Sequence, residues 1–125
     1  MKSTKKKIEW VEIFSAYTVL GQRDLAVWYS IAKNIQTLKK VVQDYNEMKD
    51  AIVDKYAIKD DNGKPKIKPD DTYEFGDKLK VAQDALEVLN KEELEVELET
   101  FAHEKIKDDK LPAAVLASIM EFITA

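Results

Sequence analysis

The chain contains no cysteine, three glycines, one histidine and one arginine. Without cysteine it cannot form disulfides, thiolate metal sites, iron–sulfur clusters or a cysteine nucleophile. The glycines are scattered, whereas a dinucleotide-binding fingerprint needs several that are closely spaced. The one Gly-Lys pair is followed by Pro65, which excludes a P-loop at that point. Since His103 alone cannot supply a structural zinc site, the sequence predicts neither a metal ion nor a cofactor.

Charge and hydropathy restrict the partners that we expect. The 125 residues include 20 basic and 24 acidic side chains, for a net charge of −4, and Arg23 is the single arginine. Because arginine supplies the bidentate fork that reads guanine and clamps phosphates, we expect no specific nucleic-acid partner. The longest apolar stretch, residues 111–120, is far shorter than the ~20 residues that cross a bilayer, so we expect no membrane contact.

The first residues are rich in lysine, and Glu9 and Glu12 follow them in place of the apolar stretch of a signal peptide. We interpret residues 1–7 as a basic flexible arm and residues 8–125 as a single helical domain. Apolar residues then recur at steps of three and four, which predicts an amphipathic helix of about 13 residues that ends at Gly21. These residues are Trp10, Ile13, Phe14, Tyr17 and Leu20.

A second, much longer helix is predicted after Asp24, which can cap its amino terminus. Residues 25–56 contain neither glycine nor proline, and their apolar residues recur about every 3.5 positions, as in a coiled-coil seam. Such a helix runs roughly 48 Å, against a radius of gyration of about 14 Å for a compact domain, so it must bend, project or pack along a second molecule. The seam consists of Trp28, Ile31, Ile35, Leu38, Val42 and Tyr45. From it we select Trp28, Ile35 and Val42 as candidate oligomer or partner contacts.

Residues 59–73 interrupt the helical pattern, and Asn62-Gly63 favours a type I′ turn between short edge strands. The apolar spacing that follows predicts a third helix over residues 77–89. We expect this helix to fold back along the second as an antiparallel hairpin.

Residues 93–99 change from the helical period to strict alternation, with glutamate at every second position. Alternation favours a half-buried strand, although a helix that joins Leu94 to Ile106 competes with it. On a strand the glutamates stand on one face about 7 Å apart, which suits an acidic docking face for a basic partner. The alternative is a solvated sheet face that also prevents edge aggregation. The four partner-binding candidates are Glu93, Glu95, Glu97 and Glu99.

A last helix is predicted over residues 111–123, because Pro112 suits the first turn of a helix and apolar residues follow it. A segment this apolar must be buried, either against the hairpin or against a neighbouring chain. We therefore add Leu116 and Phe122 to the candidate oligomer or partner contacts.

Residues typical of catalysis are not arranged as a catalytic site would require. His103 lies beside Glu104, which on a strand would point the other way. Ser15, Ser30 and Ser118 fall within apolar helical patterns, where a hydroxyl ordinarily bonds to the backbone. We predict no catalytic residues and a protein that is not an enzyme.

Three segments carry a likeness to other proteins. They are residues 26–34 (AVWYSIAKN), residues 61–64 (DNGK), and residues 89–92 (LNKE) leading into residues 96–98 (VEL). In these segments the chain resembles an uncharacterised family of short proteins encoded by tailed bacteriophages. The resemblance implies a phage origin and a helical hairpin with a small β element. It implies no activity, so no functional residue is carried over.

The expected fold is mainly α, with α+β as the alternative, and comprises a long antiparallel helical hairpin, a short β element and helices at both termini. Our leading hypothesis is a non-enzymatic bacteriophage interaction protein, either a minor virion or cargo component or an assembly factor. Its partners would be other phage proteins or a second copy in a homo-oligomer, in the host-cell cytoplasm and in the virion. The alternative hypothesis is an early phage protein that inhibits a host protein through the acidic face.

Overall fold

The computed structural model describes residues 1–23, 25–107 and 109–124. Four α-helices and four short strands lie within these residues, together with 3₁₀ turns at Gly76–Lys78, His103–Lys105 and Met120–Phe122. The helices are α1 (Lys7–Gly21), α2 (Trp28–Tyr56), α3 (Leu79–Lys91) and α4 (Ala113–Ile119). The strands are β1 (Lys2–Lys6), β2 (Glu93–Glu97), β3 (Phe101–Ala102) and β4 (Ile123–Thr124). The predicted helix cap at Asp24 lies outside the described residues.

The chain divides into two compact units. The first consists of Met1–Gln43 and Glu93–Ala125, and the second of Asp44–Glu92. Helix α2 contributes residues to both. The stretch predicted as a single domain, residues 8–125, is thus organised as two units, and residues 1–7 belong to the first of them.

Helix α1 confirms the first predicted helix, including its end at Gly21. At its start the Glu9 carboxylate accepts a hydrogen bond from the backbone N–H of Lys6, at 3.3 Å. Its buried side chains recur at steps of three and four, so one face enters the core. They are Trp10, Ile13, Ala16, Tyr17 and Leu20. The rest of this core includes Ile31, Leu38, Val96, Leu98, Phe101, Ile106, Ile119 and Phe122.

The prediction of a flexible arm at residues 1–7 is wrong. Residues 2–6 form β1, which pairs antiparallel with β2 so that Lys2 lies opposite Glu97 and Lys6 opposite Glu93. Strand β2 confirms the strand interpretation of this segment over the helical one. Its inward residue Val96 is buried in the core, and this burial is the physical reason that β1 and β2 stay attached to α1.

The predicted last helix is too long at both ends. Helix α4 begins at Ala113, directly after Pro112, and ends at Ile119. The chain then makes a 3₁₀ turn and enters β4, which pairs in parallel with β3 through Ile123 opposite Phe101. The expected burial of this segment is confirmed, since Ile119 and Phe122 lie fully buried in the core of the first unit.

The second unit contains the predicted antiparallel hairpin. The Tyr45 hydroxyl of α2 donates a hydrogen bond to the side-chain oxygen of Asn90 in α3. Further along, Ile52 of α2 and Leu86 of α3 line one small apolar cleft. The predicted third helix is confirmed, although its first residues form the 3₁₀ turn that precedes α3.

The loop between α2 and α3 forms two isolated antiparallel bridges, in place of longer strands, between Lys59 and Pro65 and between Ile67 and Tyr73. Gly63 has a φ of 75°, whereas Asn62 does not share the positive φ that a type I′ turn requires, so the predicted turn type is wrong. The Asp60 carboxylate organises the turn by accepting hydrogen bonds from the backbone N–H groups of Asn62 and Lys64, at 2.8 and 3.0 Å.

The mainly-α fold class is confirmed, with a helical hairpin and short β elements. Among the described residues, no helix combines the length and apolar character needed to cross a membrane.

Candidate protein-interaction site

The acidic face predicted on β2 is matched by lysines on the neighbouring strand. Glu93, Glu95 and Glu97 are exposed in a row. The register sets Lys6 opposite Glu93 and Lys2 opposite Glu97, on the same face of the two-stranded sheet. Residues opposite each other in an antiparallel pair have Cβ atoms roughly 5 Å apart, so opposite charges there compensate. This face is therefore mixed in charge.

Glu99, the fourth acidic candidate, lies beyond the end of β2 and apart from the row. Its Oε1 atom is 3.1 Å from Nζ of Lys33 on α2. The hydrogen bond from Lys33 to this carboxylate raises the pKa of the lysine above its ordinary value. Nζ of Lys33 also lies 5.3 Å from the ring centroid of Tyr29. Glu99 is thus occupied by a contact within the chain.

A buried amide holds the backbone of Glu99 in place. Nδ2 of Asn34 donates to the Glu99 carbonyl oxygen at 3.0 Å, and its Oδ1 accepts from the Glu99 N–H at 2.7 Å. The Asn34 side chain thereby satisfies both backbone groups of one residue, as a neighbouring strand would. In the sequence Asn34 is a polar residue that interrupts an apolar seam. A side-chain amide on a helical face that is otherwise buried is the one local signal that could have indicated a structural hydrogen-bonding role.

The aromatic ring of Tyr17 is fully buried beside this amide, and its hydroxyl makes no hydrogen bond with any described residue. Burial raises the pKa of Tyr17 far above its ordinary value, and the Glu121 carboxylate acts in the same direction. The Asn34 amide is close enough to oppose this pKa rise in part, but its geometry toward the hydroxyl is not that of a hydrogen bond.

We expect the buried Tyr17 hydroxyl to make the protein sensitive to alkaline pH. Above a pH near 10 the tyrosine ionises in the unfolded chain but not in the folded one, so its contribution to stability is complete below that pH and falls above it. The loss is about 1 kcal/mol per pH unit for one such group. Urea titrations of the wild type and Tyr17→Phe at about pH 8, 10 and 11 would measure how the free energy of unfolding of each protein changes with pH. Identical pH dependence in the two proteins would contradict the prediction.

Phe122 is wrongly placed among the candidate partner contacts. It is fully buried, with its ring centroid 6.2 Å from that of Trp10 and 6.5 Å from that of Tyr17. Leu116 and Ile35 are half-buried and pack against the same core. These three side chains stabilise the fold of the chain itself.

Of the two remaining contact candidates, Val42 is half-buried, whereas 64% of Trp28 is exposed. Trp28 is exposed because the buried stripe that runs along α2 begins at Val27, one residue before the helix and before the predicted seam. Val27, Ile31, Asn34 and Leu38 are buried, at steps of four, three and four. Trp28 stands one position off this face, so the coiled-coil seam is wrong at its first position.

Trp28 and its neighbour Tyr29 form an exposed aromatic pair, here named the aromatic patch. Tyr29 is 60% exposed, and the two rings meet edge to face with centroids 5.7 Å apart at an angle of 87°. Each ring borders one depression in the surface of the first unit. Trp28 borders a depression of about 170 Å³ with Leu20 and Ile35, and Tyr29 borders one of about 330 Å³ with Phe101. The patch therefore combines large exposed rings with adjacent recesses.

The side chains of Ser15, Ser118 and His103, which could take part in catalysis, either bond to the backbone or are exposed to solvent. The hydroxyls of Ser15 and Ser118 donate to the carbonyls of Val11 and Ala114 one turn earlier, as expected for helical serines. His103 is exposed at the start of a 3₁₀ turn. No three His, Cys, Asp or Glu side chains of the described residues are grouped so that they could hold a metal ion.

Comparisons with known proteins found no relative of this chain. No protein-family model, no curated protein and no solved structure matches the chain. The resemblance to tailed-phage proteins consequently stays a prediction, and the function has to be inferred from the surface of the molecule.

Proposed function

We propose that this protein is a non-enzymatic interaction protein that binds another protein through the aromatic patch. The observation that supports this most directly is the exposure of Trp28 and Tyr29 side by side at the start of α2. Large aromatic side chains gain the most from burial, and tryptophan and tyrosine are enriched among the residues that dominate binding energies. Both have few rotatable bonds, so little conformational entropy is lost when a partner covers them.

The surroundings of the patch suit a protein partner. The depression next to Trp28 has a mostly apolar lining and can receive an apolar side chain, while the depression next to Tyr29 has a more polar lining and suits a polar group of the partner. The backbone that carries the patch is held in place, because Leu25 and Val27 immediately before it are buried in the core. A rigid presentation of this kind lowers the entropic cost of association.

The resemblance to tailed-phage proteins supports a more specific proposal. In that context the protein is a minor virion or cargo component or an assembly factor, and its partner is another phage protein. The alternative, inhibition of a host protein through an acidic face, has less support because Lys2 and Lys6 stand opposite Glu97 and Glu93. The aromatic patch therefore carries the proposal.

Replacement of Trp28 by serine is expected to reduce the recovered partner by tenfold or more, the effect of removing a dominant interface residue. The measurement is quantitative mass spectrometry of proteins that co-purify with the tagged chain from its native cells. Met120→Ser is the matched control, since Met120 has the same 64% exposure in the same unit. Both variants should keep the wild-type stability within about 0.5 kcal/mol. Equal recovery of the same partners with Trp28→Ser and Met120→Ser would reject the patch as the binding site.

A further inference from the structure

The second unit has a small core for its size. Its buried residues are Tyr45, Ala57, Ala82 and Leu89. Its exposed large hydrophobic residues are more numerous: Met48, Ile58, Ile67, Tyr73, Leu79, Val81 and Val88. Units this small bury a low fraction of their apolar surface and are commonly stabilised by oligomerisation.

The exposed apolar residues of α3 are not scattered at random. Helix α3 has one apolar stripe, Ala82, Leu86 and Leu89, on the side of its buried residues. A second stripe consists of Val81, Ala85 and Val88, at steps of four and three. Val81 is 48% exposed and Val88 is 70% exposed, while Ala85 between them is half-buried, so the described residues leave both ends of this second stripe open to a partner.

Charged residues border the second stripe on one side. Asp84 and Lys91 lie seven residues apart, and each forms an ion pair along the helix. Nζ of Lys80 is 2.6 Å from Asp84, and Nζ of Lys91 is 2.5 Å from Glu87. A second α3 helix packed antiparallel on the stripe brings Asp84 of each copy near Lys91 of the other, whereas a parallel one sets like charges together.

We propose that a second copy of this chain covers the stripe, so that two antiparallel α3 helices form the interface of a homodimer. The shift that pairs Asp84 with Lys91 places Ala85 of one copy against Val88 of the other. The small Ala85 side chain lets the two helices approach closely at that point. This contact goes beyond the proposed function, because it uses the second unit and leaves the aromatic patch free.

Sedimentation velocity of the full chain over a range of concentrations tests the proposal. The wild type is expected to shift from monomer to dimer by about 0.5 mM, since the interface is small. Val88→Lys should weaken the dimer at least tenfold while the fold persists, because Asp84 compensates the new charge one turn away. Met120→Lys is the control, a substitution of equally exposed apolar surface in the first unit. A wild type that stays monomeric throughout would overturn the proposal.

The absence of cysteine in the native chain allows the orientation to be tested directly. A mixture of the Ala85→Cys and Val88→Cys chains should form a mixed disulfide faster than either chain couples to itself. Preferential Val88→Cys self-coupling would indicate parallel helices and overturn the pairing of Asp84 with Lys91. A dimer that Trp28→Ser dissociates and Val88→Lys does not would also overturn the proposal, while it would identify the aromatic patch as a self-association site.

Discussion

Replacement of Phe122 by alanine is expected to lower the free energy of unfolding by about 3–5 kcal/mol, the usual cost of deleting a buried aromatic ring. Phe122 is fully buried, and its ring lies beside those of Trp10 and Tyr17. Removal of the ring leaves a cavity between α1 and the end of the chain, where the surrounding side chains can relax only in part. Since a small domain has a total stability of roughly 5–15 kcal/mol, the variant should lose about a fifth of its stability or more.

Urea denaturation followed by circular dichroism measures this effect. Met120→Ala is the control, because Met120 lies two residues earlier and is largely exposed. It should change the free energy of unfolding by less than about 0.5 kcal/mol. If the two variants were equally stable, Phe122 would be free to contact a partner, as the sequence alone suggested.

Replacement of Asn34 by leucine is expected to have the second largest effect on stability, lowering the free energy of unfolding by about 2–4 kcal/mol. Leucine has nearly the same size but cannot bond to the Glu99 N–H and carbonyl groups that Asn34 now satisfies. A buried polar group left without a partner costs about 1–3 kcal/mol, and the variant leaves two. The added apolar surface of leucine recovers part of this cost.

Hydrogen exchange distinguishes this local mechanism from a general loss of stability. In Asn34→Leu the Glu99 amide should exchange much faster, while amides in the middle of α1 keep their relative protection. Gln36→Leu is the control, since Gln36 is exposed two residues further along α2. Unchanged protection of the Glu99 amide in the Asn34 variant would show that the hydrogen bonds between the Asn34 side chain and the Glu99 backbone contribute little to stability.

Local patterns were sufficient to predict most of the helical structure. Helices α1 and α3 follow from apolar residues at steps of three and four, because the same spacing that buries one face also defines the helix. The strand over Glu93–Glu97 follows from strict alternation for the same reason. In each case the signal and the structure that it predicts lie within the same short segment.

Pairings between distant segments were not predictable from one sequence. The lysine-rich β1 shows no apolar alternation, so its strand becomes evident only when β2 is placed beside it. The early end of α4 likewise depends on the pairing of Ile123 with Phe101. The two hydrogen bonds of the Asn34 side chain require the backbone of Glu99, which is 65 residues away in the sequence. Loop closure brings such partners together, and no local pattern records it.

The sequence by itself determined the types of the main elements, the absence of cysteine chemistry and the apolar character of residues 111–123. Only the tertiary structure decided which apolar residues are available to a partner. Trp28 and Phe122 had equal standing as candidate contacts, yet one is largely exposed and the other fully buried. The physical reason is that a one-residue shift in the buried face of α2 turns Trp28 outward, while packing against Trp10 draws Phe122 into the core.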